Sequence, residues 1–231
     1  MAVSCRAALL LLFPALASGC AVCPSEADLE HEFVVTYKSA RLPPWMPWYS
    51  QFAEHGWFDV RDQDGWTRVE VMNRGSGVQV AEIDLDAARA DTRFGGRSVH
   101  VHAVYTGAAA RAMVPVLLER APAYPWVDDY APWPGPNSNT FAAWLSREVP
   151  GLWTEPYGAA LGKDYPDNGW LQAGLTTTRT GVQLDTPYVG AQVGLAEGVE
   201  LHLLGLTLGV DLWPPQVKLP FLPAIPWQLD G

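Results

Sequence analysis

From His31 to Lys38, the apolar residues Phe33, Val35 and Tyr37 alternate with polar neighbours, the two-residue period of a half-buried strand. The same reading predicts strands over 56–60 and 66–72. The segment between them, Arg61-Asp62-Gln63-Asp64-Gly65, ends in the Asp-Gly pair that favours a hairpin turn. Further strands are predicted over 78–85 and 98–105. Residues 108–120 carry alanines, Met113, Val116 and Leu117 at helical spacing and predict a helix that contains Pro115. A second helix is predicted over 139–149, with Phe141, Trp144 and Leu145 on one face and Pro150-Gly151 as its stop. Residues 41–49, with three prolines and two tryptophans, form an irregular loop. Residues 158–169 form a glycine-rich loop around Lys163 and Asp164. The stretch 186–212 reads as mostly strand, with a glycine every fourth or fifth residue. No long-period repeat or linker interrupts the pattern. The expectation is one α+β domain over 31–231, an antiparallel sheet with a few packed helices.

Composition narrows the function classes. The 231 residues carry a formal charge of −10 and contain no basic run. A nucleic-acid partner needs clustered Lys and Arg to neutralise phosphates, so that class is excluded. The 11 Trp and 20 Pro residues suit short strands and rigid loops. A Trp either fills the core or presents a face to a sugar or a lipid interface.

The three cysteines are Cys5, Cys20 and Cys23. The rest of the chain therefore has no disulfide framework, thiolate zinc site or cysteine nucleophile. Met1 to Arg6 is a short basic start, and an apolar run from Ala7 to Ala17 leads into Ser18-Gly19-Cys20. That is the build of a secretory signal over 1–19, too short to span a bilayer permanently. Its ending resembles the lipobox of bacterial lipoproteins, with Ala17 where leucine is usual. The resemblance implies cleavage before Cys20, a lipid on its thiol, a tether over 20–30 and a membrane as partner. Ala21 in place of Asp favours the outer membrane over other exported, periplasmic positions. Ordinary cleavage near Ala21 is the alternative.

Chemistry concentrates in Trp133-Pro134-Gly135-Pro136-Asn137-Ser138-Asn139-Thr140-Phe141. The prolines and glycine exclude a helix, and the polar residues then satisfy the free N–H groups of the helix that follows. The same geometry can hold a nucleophile at the positive end of the helix dipole.

Several blocks resemble those of an uncharacterised bacterial domain-of-unknown-function family (family 3750). They are Phe52-Ala53-Glu54-His55-Gly56-Trp57, Thr67 to Val71, Asp91 to Gly96 and Pro134 to Phe141, then Gly162 to Tyr165, Glu197 to Leu201 and Lys218 to Pro220. That family brings no known reaction. A more distant likeness is to permuted papain-like enzymes of the lecithin–retinol acyltransferase type, whose nucleophile lies in Asn-Cys-Glu-His-Phe at a helix start. Asn137-Ser138-Asn139-Thr140-Phe141 is similar, with Ser138 in place of Cys and Thr140 in place of His. This resemblance implies a permuted papain-like plan. Ser138 would be the nucleophile, His55 the base, Glu70 the orienter and Asn137 an oxyanion donor.

Each of these residues also has a plain structural reading. Asn137, Ser138 or Asn139 can simply cap the helix, His55 can be a buried backbone-bonded histidine, and Glu70 can pair with Arg68. His100 and His102 share a strand face, as do Glu200 and His202, but no motif supplies the rest of a metal site. Lys163 and Asp164 either bind a polar ligand, together with Asn139, or form a salt-bridged turn. No cofactor is expected. Two functions remain at this level. One is an envelope domain that binds glycan, lipid or a protein in a Trp- and Pro-lined cleft. The other is an amide or ester hydrolase or acyltransferase built on Ser138.

Overall fold

A computed structural model describes residues 25–46, 48–72, 77–89, 93–154, 160–212, 215–222 and 225–226. The expected signal segment, Cys20 and the first part of the expected tether lie outside the described residues. The first sheet contains β1 (Val34–Arg41), β2 (Glu54–Asp62), β3 (Gly65–Val71), β4 (Val78–Ile83), β5 (Arg93–Phe94) and β6 (Arg97–Thr106). They lie in the order β4-β3-β2-β1-β6-β5, and every pair is antiparallel. The hairpin after β2 is tighter than the five-residue loop expected. Asp62 pairs with Gly65, and the Asp62 carboxylate accepts from the Asp64 and Gly65 N–H groups.

Single turns α1 (Glu26–Leu29) and α2 (Leu85–Ala88) lie against one face of this sheet, where Leu29 and Ala88 meet Val34 and Trp66. The long helices α3 (Gly107–Arg120) and α4 (Ser138–Glu148) cover the other. The main core lies between those helices and the sheet. Val35, Tyr37, Phe58, Val60 and Val69 meet Met113, Leu117, Phe141 and Leu145, all buried. Side chains alternate along each strand, so the neighbours of these core residues, Lys38, His55, Trp57, Asp59, Arg68 and Glu70, project from the opposite face. There Asp59 holds Lys38 and Arg68, and both cations also donate to carbonyls of α2.

A second sheet departs from the single sheet expected. Strands β7 (Gln172–Leu175), β8 (Gly181–Asp185), β9 (Val189–Gly194), β10 (Gly198–Leu203), β11 (Leu206–Leu212), β12 (Pro215–Lys218) and β13 (Ile225–Pro226) follow one another as an antiparallel meander. Tight turns let consecutive strands pair with each other, so none joins the first sheet. The meander's polarity is inverted. Gln183, Asp185, Gln192, Glu200, His202 and Lys218 are buried on its inner face, while Leu175, Leu184, Val193, Leu201, Leu208 and Leu212 stand exposed on its outer face. A face of that polarity cannot join the apolar core of the first sheet, because burying charge without partners is costly.

Candidate functional site

The loop before α4 contains cis peptide bonds ahead of Pro134 and Pro136. Asn137 is the N-cap: its Oδ1 accepts from the N–H groups of Asn139 at 2.9 Å and Thr140 at 3.2 Å. Thr140 Oγ1 accepts in return from the Asn137 N–H, closing a capping box. The other polar atoms of this run staple the helix to its surroundings. Asn137 Nδ2 donates to the Pro132 and Leu161 carbonyls, and Thr140 Oγ1 donates to the Gly162 carbonyl. Asn139 Nδ2 donates to the Glu54 carbonyl at 3.0 Å and the Leu161 carbonyl at 3.1 Å. Capping thus accounts for Asn137 and Thr140. It leaves Ser138, which lies beside Tyr130 and lines the same cavity.

These residues border a cavity of about 410 Å³. Leu42, Ala53, Pro132, Trp133, Leu161 and Phe221 supply an apolar lining, and Ser50, Glu54, Tyr130, Asn137, Ser138 and Asn139 supply polar points. Two buried oxygens here have no hydrogen-bond partner, Asn139 Oδ1 and Tyr37 Oη. Both lie beside Gly56, where an added Cβ would come within 3.1 Å of the first and 3.3 Å of the second. Asn139 is only 2% exposed, and both protons of its amide are committed to carbonyls. Its free oxygen is enclosed beside Gly56 and the Tyr37 hydroxyl, behind the cavity wall.

Behind Glu54 runs a short relay. Ser39 Oγ donates to Glu54 Oε2 at 2.7 Å and lies 2.8 Å from His102 Nε2. A hydroxyl has one proton, so with Ser39 donating to Glu54 the His102 ring must donate to Ser39. Burial pushes the His102 pKa down to about 3, helped by nearby His100, so the ring is neutral at ordinary pH. The order is His102 N–H to Ser39 O–H to the Glu54 carboxylate, which fixes one Glu54 oxygen at the cavity. Sequence reasoning missed Ser39, Glu54, Tyr37 and Tyr130. Glu54 stood next to the residue singled out, and its role depends on which strand face turns toward α4.

The proposed triad does not assemble. His55 Nε2 and Glu70 Oε2 are 2.6 Å apart, so the expected base and orienter do meet. They lie among Trp57 and Phe94 on the face of the sheet that turns away from α4. Gly56, one residue on, faces Asn139, so the two-residue period turns His55 away from Ser138. Ser138 instead lies beside Tyr130.

Lys163 and Asp164 belong to a different centre. Lys163 is 2% exposed and donates to Asp164 at 2.8 Å and to Glu200 at 2.7 Å. Burial works against its charge, but the two carboxylates outweigh burial and hold the pKa up. The loop is thus a plug in the inner face of the meander, and the salt-bridged turn is the reading that holds. Lys218 adds a second cation to Glu200 at 2.6 Å. Burial alone would raise the Glu200 pKa; Lys163, His202 and Lys218 hold it well below the usual range. His202 bonds Asp185 at 2.5 Å and Glu200 at 3.1 Å. Burial disfavours its charge, yet Asp164, Asp185 and Glu200 raise its pKa to about 9. Ligand atoms of Asp164, Glu200 and His202 gather within 4.8 Å. Two ammonium groups and an imidazolium already occupy those carboxylates, so the donor set does not suit a metal ion.

Residues 33–165 match the model of a family described as a protein of unknown function, DUF3750. The match covers more than half of the chain. This chain belongs to the DUF3750 family. The matched segment of this DUF3750 member holds the first sheet, both long helices and most of the cavity, and ends at Tyr165. The later blocks, Glu197 to Leu201 and Lys218 to Pro220, lie beyond it on the meander. No curated protein and no solved structure matches the chain.

Proposed function

We propose that this domain binds an amphipathic molecule of the lipid class, apolar along its body and carrying an amino or hydroxyl group at its polar end. The observation that carries this reading is the donor and acceptor balance of the cavity. Its polar wall offers the Glu54 carboxylate as an acceptor beside a lining that is mostly apolar. A ligand that donates a hydrogen bond satisfies it, and a positive charge makes that bond charge-assisted. A carboxylate ligand would face Glu54 with like charge. The volume lies in the range of small-molecule sites, and Trp133 at the rim gives the apolar body a face to lie on.

The address follows from the N-terminal segment. A signal with Ser18-Gly19-Cys20 before a short polar tether supports export and a lipid anchor on Cys20, with the binding domain held at the envelope membrane. The natural ligand would then be an envelope amphiphile.

Calorimetric titration with decylamine, decanol and decanoate, all below their micelle concentrations, tests the reading. Saturable binding in the order decylamine, decanol, decanoate is expected. Equal affinity for all three, or a preference for decanoate, contradicts it.

A further inference from the structure

The meander presents a sheet turned inside out. Along β7 to β12, every position on the outer face is Leu, Val, Ala or Pro, from Ala173 and Leu175 on β7 to Pro215 and Val217 on β12. Not one polar side chain interrupts them, in a chain whose net charge is −10. The inner face cannot replace the outer one in water, because its ion pairs are already closed around Lys163. Soluble sheets bury the apolar face and wet the polar one. Apolar-out and polar-in alternation is the pattern of strands that face lipid.

From this face we infer a docking surface for one leaflet of a lipid bilayer. A second copy of the chain is the competing occupant, and the aromatics at one rim favour lipid over it. The inner face is closed within the chain: Asp185 reaches His202 over Gly190 of β9, and Lys218 reaches Glu200 over Gly209 of β11.

Exposed aromatics mark one rim. Trp170, just ahead of β7, is 73% exposed, and Tyr188, in the turn between β8 and β9, is 63% exposed. The β7 start pairs with the β8 end, so both stand at the same end of the sheet. Trp and Tyr settle at the boundary between headgroups and acyl chains. Strands β7 to β12 are four to seven residues long. At ~3.3 Å per residue they fall short of the ~30 Å hydrocarbon core, so the face would enter one leaflet without crossing the bilayer. This inference stands apart from the cavity and holds whether or not the cavity takes an amphiphile.

The test places an environment-sensitive nitrobenzoxadiazole probe on the outer face. The full chain carries Cys5→Ser, Cys20→Ser, Cys23→Ser and Leu201→Cys; a control carries the same three serines and Glu119→Cys, an exposed position on α3. Each labelled chain is mixed with phosphatidylcholine vesicles. A blue shift at position 201, quenched by a nitroxide in the lipid acyl region and absent at position 119, is expected. An unchanged probe at position 201 overturns the inference, even where the N-terminal segment holds the chain on the vesicles. A blue shift that needs no vesicles and grows with protein concentration also overturns it, in favour of a second copy.

Discussion

Ser39 Oγ stands 2.7 Å from Glu54 Oε2 and 2.8 Å from His102 Nε2, one hydroxyl joining a cavity carboxylate to a neutral imidazole. Register explains the meeting. Ser39 pairs with Gly56 on β2 and with His100 on β6, and the register shift after Tyr37 brings His102 to the same side. Removing the hydroxyl leaves a buried N–H and a carboxylate oxygen without their partner. Ser39→Ala should therefore lower stability by about 1–3 kcal/mol, the cost of such orphaned groups. Urea denaturation measures it; a loss below a few tenths would mean that the relay is not formed.

The cap and the serine beside it separate cleanly. Asn137→Ala removes the capping-box acceptor together with two bonds to the Pro132 and Leu161 carbonyls, and should cost about 2 kcal/mol or more. Ser138→Ala should cost under about 1 kcal/mol, since Ser138 holds neither the cap nor the 160–162 segment. Paired thermal melts decide between them, and equal losses would contradict the division of roles.

The meander reverses the usual rule for strand substitutions. Glu200 is fully buried and neighbouring Leu201 is 61% exposed. Glu200→Ala would strand Lys163 and Lys218 without their shared carboxylate and should cost about 3–5 kcal/mol. Leu201→Ala in solution should stay within about 0.5 kcal/mol. Chemical denaturation of the two variants is the check.

Two histidines should shape the pH profile in opposite senses. The folded pKa of His202 is raised to about 9, so its stabilisation is fully present below pH ~6.5 and is lost as pH rises through 9. For His102 the folded pKa is depressed to about 3, so the unfolded chain binds the extra proton and stability falls as pH drops from ~6.5 toward 3. Glu200, with its lowered pKa, adds to the acid limb. Maximum stability is expected near pH 6.5. His202→Gln should flatten the alkaline limb, and His102→Gln should make the acid limb shallower. Urea midpoints across pH 4–10 test both, and unchanged limbs in these variants would refute the assignment.

Local periodicity made much of the first sheet legible. Phe33, Val35 and Tyr37 marked β1, and the expected helices at 108–120 and 139–149 lie within one residue of α3 and α4. The His55–Glu70 pairing was also expected, and the β2–β3 hairpin brings the two side chains together on one face. Two things were not. Whether His55 turns toward α4 or away depends on which strand face the helices cover, and that is decided by packing between distant segments. The meander escaped because Val199-Glu200-Leu201-His202-Leu203 reads as an ordinary amphipathic strand, and alternation alone does not say which side is inside. The relay joins residues 39, 54 and 102 across three strands, a contact that no local pattern announces.

The most direct test of the cavity as an amphiphile site is the ratio of decylamine to decanoate affinity, measured by calorimetry on the wild-type chain and on Glu54→Gln at pH 7. The account predicts that wild type prefers decylamine by at least about tenfold, the ~1.4 kcal/mol or more of a charge-assisted bond. In Glu54→Gln the ratio should fall toward one, with decylamine weakened. An unchanged ratio in the variant, or no amine preference in the wild type, would contradict the central claim.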